Sequence, residues 1–386
     1  MTLKHFVTIL LITLLSSSLF SQTYERYKKL EDISIQSKNL GFEKKISITV
    51  PVEWQRNVDK KFPLIIIFDK QNARSHNYII NAIDYLTGNE QMPSSVIVSV
   101  NSDQEHRYQE TQYKISDSSG LAAENEAFIF NELIPLMEKD YKASNFRLLI
   151  GHSRYGYLTS SIFCTKTNAI NAVIAMSPFF SQKNTNLTQS INNLKNQTFA
   201  NKKYFRFGIG NDYPDDYRTM DSIIKIANLP SNVDIKGSYF KEATHNATPG
   251  LLITIALYEI FEKWNTIQVK YLSKSQTDLG IKAALSKQIV ENYGTDINFS
   301  LGILNGKGWE FYNDKQYAKA IQAWKILLDT YPNFSEAYLY IIDAKIQLKE
   351  NYQEDIALFQ KSLSNSEFYK NAEKEEFQKE LQDLIK

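Results

Sequence analysis

Along the first two thirds of the chain, short apolar runs alternate with stretches of helical spacing. Residues 46–50 alternate as a strand does and stop at Pro51. The runs 64–68, 96–100, 148–150, 172–176 and 205–209 are almost wholly apolar, as in a parallel sheet buried on both faces, and 233–239 continues the series. Between them, 78–86, 122–141, 157–164, 220–227 and 249–264 carry apolar residues at helical intervals. Strands alternating with helices predict an α/β fold, a mostly parallel sheet covered by helices on both sides. Such a sheet presents its functional loops at the carboxyl ends of its strands.

From about Phe299 the pattern becomes wholly helical. Gly308-Trp309-Glu310-Phe311-Tyr312, then Tyr317-Ala318-Lys319-Ala320-Ile321, end at Tyr331-Pro332; Ala337-Tyr338-Leu339-Tyr340, then Ile356-Ala357-Leu358, follow in a similar arrangement. The period of roughly 34 residues resembles the tetratricopeptide repeat, a pair of antiparallel helices. Two repeats and a capping helix over 370–385 are fewer than the three units that normally stand alone, so this tail is expected to lean on the preceding domain. Protein-partner binding through the repeats is a second expectation. The connecting region 266–298 is not Gly- or Pro-rich and has helical spacing over 281–289, so it reads as an ordered bridge.

The N-terminus changes the picture of where the protein works. Lys4 and His5 precede an apolar run over 6–15 and the small residues Ser16, Ser17 and Ser18, the pattern of a secretory signal with cleavage expected after Ser21. The run is too short for a membrane span, so the mature chain is expected to be exported, periplasmic or secreted, with no membrane span. Cys164 is the only cysteine, which excludes an internal disulfide and a thiolate zinc cluster, and its apolar surroundings predict buried packing. A net charge of +1, with 44 basic against 43 acidic residues, gives no support to nucleic-acid binding.

The strongest chemical signal is Ile150-Gly151-His152-Ser153-Arg154-Tyr155-Gly156, between a predicted strand and a predicted helix. A nucleophile elbow places its serine on such a sharp strand-to-helix turn, lifting the hydroxyl clear of the sheet. A serine needs a base, and the base an orienting acid. In folds with this elbow the chain order is serine, acid, histidine. His76 and His106 precede Ser153, and His152 adjoins it and is expected to pack. That leaves His245, between the last predicted strand and the long helix after it. The acid is expected in the loop after 205–209, where Asp212 stands nearest the strand end; Asp216 is the alternative. Oxyanion donors are expected from the backbone N–H of Arg154 and from the backbone around Lys70 or Gln71. Tyr155 stands where this motif usually has glycine, and is expected either to wall the pocket or to mark a weakened site.

These residues resemble the Putative esterase family of α/β-hydrolases, over about Ile46 to Trp264. The landmarks are Phe68-Asp69, Val98-Ser99-Val100-Asn101 with Arg107, Glu132-Leu133-Ile134-Pro135, Phe146-Arg147 before the elbow, and the ending His245 to Pro249. The resemblance implies an α/β-hydrolase sandwich followed by an all-α repeat domain. It also implies hydrolysis of a carboxylic ester through an acyl-enzyme, with no metal or organic cofactor, on a small-molecule, carbohydrate-linked or siderophore-linked ester. The expected divisions are 1–21 (signal), 22–265 (hydrolase), 266–298 (connector) and 299–386 (repeats). Two other readings are a weakened hydrolase serving as a scaffold, and a peptidase using the same triad.

Overall fold

A computed structural model describes residues 24–56, 58–114, 120–182 and 185–386; the expected signal segment lies outside them. The chain opens with β1 (Tyr27–Gln36) and β2 (Glu43–Pro51), then β3 (Phe62–Ile67), α1 (Ala73–Gly88), β4 (Val96–Val100) and α2 (Gln104–Glu110). Next, α3 (Ala122–Phe128) passes through a π turn (Ile129–Leu133) into α4 (Ile134–Asp140). Pro135, which cannot donate to the preceding turn, sits at the start of α4 and accounts for the wider turn. After β5 (Ala143–His152), α5 (Arg154–Thr165) and β6 (Ala172–Met176) comes a two-residue ribbon, β7 (Ser181–Gln182) and β8 (Thr185–Asn186). It is followed by α6 (Leu187–Asn193), β9 (Lys203–Ile209), α7 (Pro214–Ile226) and β10 (Val233–Tyr239).

The eight main strands run in the order β1-β2-β4-β3-β5-β6-β9-β10. β1 pairs antiparallel with β2, and β2 antiparallel with β4; every later pairing is parallel. This is the mostly parallel, helix-covered sheet that the apolar runs predict. The strand interiors alternate between its two faces, as a period of two requires. Ile65, Ile67, Leu148, Ile150 and Ile174 enter one core, with Ile79 and Ile83 of α1. Leu64, Ile66, Leu149 and Val173 enter the other, with Leu158 and Ile162 of α5. β1 was not anticipated: its Lys, Glu and Asp residues mask the alternation, and a register shift between Lys29 and Glu31 breaks it.

A 25-residue helix, α8 (Thr248–Leu272), links sheet and tail. Leu252, Ile253, Ala256, Leu257 and Ile260 lie in the core on the α1 side of the sheet, while Trp264, Ile267 and Tyr271 extend the same core toward the C-terminal helices. Those are α9 (Ile281–Tyr293), α10 (Leu301–Asn313), α11 (Tyr317–Thr330), α12 (Glu336–Leu348), α13 (Gln353–Asn365) and α14 (Asn371–Leu384). The helix crosses the expected border at 265 without a break. One apolar cluster runs from Ile65 through Trp264 and Phe299 to Leu381. Polar contacts follow the same seam: the Tyr293 hydroxyl donates to the Ile260 carbonyl (3.0 Å), the Trp264 indole to Asn298 O (3.2 Å) and the Asn333 amide to Gln55 Oε1 (2.7 Å). The tail thus packs on the body.

Candidate active site

Ser153 sits between β5 and α5 with φ +58° and ψ −117°, a conformation that side chains rarely adopt. Two features hold it there. Its N–H donates to Met176 O of the next strand (2.8 Å). Gly151 lets the backbone of α5 cross directly above β5; a Cβ there would lie 2.3 Å from Tyr155 O. Gly156 packs near the turn after β6, where a Cβ would meet Met176 O at 3.2 Å. The strain thus follows from close backbone crossings, the geometry of a nucleophile elbow.

His245 lies in a short 3-10 turn (His245–Ala247) between β10 and α8. Asp212 lies in the loop after β9, and its Oδ2 is 2.5 Å from His245 Nδ1. The two loops meet because Asn211 N–H donates to Ala243 O (2.8 Å) and Gly210 leaves room for that carbonyl. Asp216 does not share this place. It stands in the first turn of α7, accepts the Phe180 N–H (2.7 Å), and burial raises its pKa. The sequence leaves both carboxylates open; the register of α7 separates them.

His152 is buried and its Nε2 lies 3.0 Å from His245 O. A carbonyl only accepts, so Nε2 carries the proton and the ring is a neutral strut under the His245 loop. The Thr248 hydroxyl donates to the same carbonyl (2.9 Å). Burial first, then the nearby His245, push the His152 pKa down to about 4. An unfolded His152 would titrate near 6.5. Between these values the unfolded chain takes up a proton that the folded one does not, so stability falls as pH drops through that window, by up to about 3 kcal/mol. His152→Gln is therefore expected to flatten part of the fall in Tm between pH 7 and pH 4.5. Parallel curves for the variant and the parent would contradict this.

The turn after β3 supplies the other side of the site. Phe68 N–H donates to Ile150 O (3.1 Å) and Lys70 N–H to Val100 O (3.0 Å), so Lys70 is committed to the sheet. Among the described residues no backbone acceptor meets the Gln71 N–H, and Arg154, at the first position of α5, has a free helix-terminal N–H. Of the two sequence candidates in the turn, Gln71 is the one with a donor to spare. Asp69, at φ +60°, anchors this turn. Its carboxylate receives Arg107 Nε (2.7 Å), Arg107 Nη2 (2.6 Å) and Gln71 Nε2 (2.8 Å). Ser102 N–H donates to Gln71 Oε1 (2.9 Å).

Tyr155 does not wall a pocket. Its ring is fully buried and stacks on Phe68 at 4.6 Å. Its hydroxyl donates to Glu110 and lies 2.7 Å from Ser102 Oγ. Glu110 in turn pairs with the buried Lys44 at 2.7 Å. The bulky residue is accommodated beneath the β3 turn, in a polar cluster that the sequence reading missed because its members are far apart in the chain. Cys164 is buried, and burial raises its thiol pKa. Among the described residues no group of three or more His, Cys, Asp or Glu could hold a metal ion, and no helix is long and apolar enough to cross a membrane.

Comparison with known proteins places this geometry in a family. Among solved structures, the chain is similar to an uncharacterised protein from Capnocytophaga ochracea DSM 7271, at 14% identity and TM-score 0.60, over 92% of this chain and 100% of that one. It is also similar to an IroE-like serine hydrolase from Shewanella oneidensis, at 16% identity and TM-score 0.63, over 80% of this chain and 100% of that one. At these identities the likeness is one of fold, and the first extends into the C-terminal helices. No curated protein matches significantly. Residues 37–233, half of the chain, match the family model described as "Putative esterase". With the mostly parallel sheet and the elbow between β5 and α5, that match gives the chain its place: it belongs to the Putative esterase family.

Proposed function

We propose that this esterase is an exported serine hydrolase, cleaving a carboxylic ester of a small molecule, free or linked to a carbohydrate or siderophore. The observation that carries the reading is the 2.5 Å contact of His245 Nδ1 with Asp212 Oδ2, in a loop braced by His152, the neighbour of Ser153. In this reading Ser153 Oγ attacks the ester carbonyl carbon while His245 Nε2 takes its proton. Asp212 holds the imidazole and stabilises its cationic form. The N–H groups of Arg154 and Gln71 receive the oxyanion. Collapse breaks the carbon–alkoxide bond, His245 returns the proton to the leaving alcohol, and water then hydrolyses the acyl-serine. The residues named suffice for this chemistry without a metal or organic cofactor.

The signal over 1–21 would direct export, and cleavage after Ser21 would leave a mature chain with the hydrolase over 22–265, a helical connector to 298 and a tetratricopeptide-like tail to 386. The succession α10 to α13, in which each helix packs on the next, with α14 after it, supports the repeat reading. Packing of the tail on the body supports a buttressing role for it, ahead of partner binding. The weakened-scaffold reading drew on Tyr155 and on the repeat tail; the burial of Tyr155 supports the enzyme reading over it.

Assaying p-nitrophenyl butyrate beside a panel of chromogenic peptides separates esterase from peptidase. Ester turnover is expected, with the peptides left intact. Peptide turnover with inert esters would contradict the reading.

A further inference from the structure

Arg154 brings a charge to the elbow that the reaction above does not use. Its guanidinium lies 3.8 Å from the ring centre of Tyr108, on α2. Among the described residues it has no carboxylate partner and donates no hydrogen bond. The neighbouring cations Arg107 and Lys44 are taken, by Asp69 and Glu110. Arg154 is half-buried and Tyr108 is exposed. A guanidinium carries five donors in a planar fork that matches a carboxylate, and it gains strength when partly withdrawn from water. Stacking on an aromatic ring fixes the plane of that fork.

The strand order tells which half of a substrate it would meet. α2 follows β4, which lies on the β3 side of β5; Asp212 and His245 follow β9 and β10, on the other side. The leaving alcohol must sit against His245 to be protonated. Arg154 is drawn the opposite way, toward α2, and so faces the half that stays on the serine.

We infer that Arg154, aligned by Tyr108, is an anion-recognition subsite for the acyl group, and that the preferred substrates are monoesters whose acyl half carries a free carboxylate. The inference rests on the serine-esterase reading and narrows its substrate class. The reaction is the same hydrolysis: the acyl–alkoxide bond breaks, water adds through the acyl-serine, and a dicarboxylate and an alcohol leave.

Ethyl hydrogen succinate and ethyl levulinate have acyl groups of matching length and shape, one ending in a carboxylate and the other in a neutral methyl ketone. Followed by base titration at low ionic strength, the parent is expected to favour the succinate in kcat/KM by roughly tenfold or more, as a charge-assisted bond would give. Added salt should reduce the preference. Arg154→Gln should bring the ratio near one, Arg154→Lys should restore part of it, and Tyr108→Ala should lower it with the arginine intact. Reading a ratio within each variant cancels any general loss of folded enzyme. A ratio near one in the parent, or one that Arg154→Gln leaves unchanged, overturns the subsite. If p-nitrophenyl butyrate is hydrolysed in that case, the esterase reading survives; if no ester is turned over, both fall together.

Discussion

Ser153→Ala is expected to abolish turnover of p-nitrophenyl butyrate while moving Tm by no more than a degree or two. The hydroxyl stands on a turn already fixed by Met176 O and Gly151, so its removal leaves those constraints in place. His245→Ala should lose at least about a hundredfold, the low end of a general-base contribution. Combining the two substitutions should cost little more than Ser153→Ala alone, because groups that act as one unit are not additive. Turnover retained by Ser153→Ala, measured on protein free of contaminating esterase, would remove the assignment.

The second large effect is on stability. A chain ending at Asn298 keeps the sheet, α8 and α9, but strips Phe299 and Leu304 from the core that Trp264 and Tyr271 share with the tail. Exposing large aromatic surfaces of this kind costs several kcal/mol, roughly 10 °C or more in Tm for a body of this size. The truncated protein is expected to fold and to keep its serine chemistry, since Ser153, His245 and Asp212 lie at strand ends remote in sequence from the cut. Scanning calorimetry of the full chain should give one cooperative transition. A separate tail transition, with the hydrolase melting unchanged by truncation, would contradict the shared core. Loss of serine reactivity in a truncated core that remains folded would mean the tail helps to shape the site.

The order of legibility in the sequence follows the range of the interactions involved. Buried parallel strands read as continuous apolar runs, so β4 and β6 were visible residue by residue, and β3 and β9 to within two residues at their ends. The elbow was visible because strand, turn and helix signals fall within a dozen residues of Ser153. β1 was not, since an antiparallel edge strand faces solvent and its Lys and Glu residues obscure the period. The choice of Asp212 over Asp216 depended on where α7 begins. Pro214, favoured in a first helical turn, was the available signal. Tyr155 could be flagged but not placed, because Ser102 and Glu110 reach it from 53 and 45 positions away, and Lys44, from further still, pairs with Glu110. The same holds for the Asp69–Arg107 pair, which joins the β3 turn to α2 across 38 positions.

Arg154 illustrates the limit from the other direction. Its position beside the nucleophile was evident, and its backbone N–H could be assigned from the elbow alone. What its side chain does depends on its having no carboxylate partner among the described residues, and that becomes visible only in the folded chain. The buried Lys44–Glu110 pair beneath the β3 turn and Arg154, which has no carboxylate partner among the described residues, therefore differ in role. The first holds the Ser102 and Tyr155 hydroxyls, while the second, in the inference above, meets a ligand.

Reaction with a fluorophosphonate, followed by intact-mass analysis and peptide mapping, tests the central claim most directly, because only an activated serine forms the adduct. The account predicts a single adduct on Ser153, absent from Ser153→Ala and formed far more slowly in His245→Ala. A parent protein that remains unlabelled under conditions where a known serine esterase reacts fully, or an adduct on another residue, would contradict it.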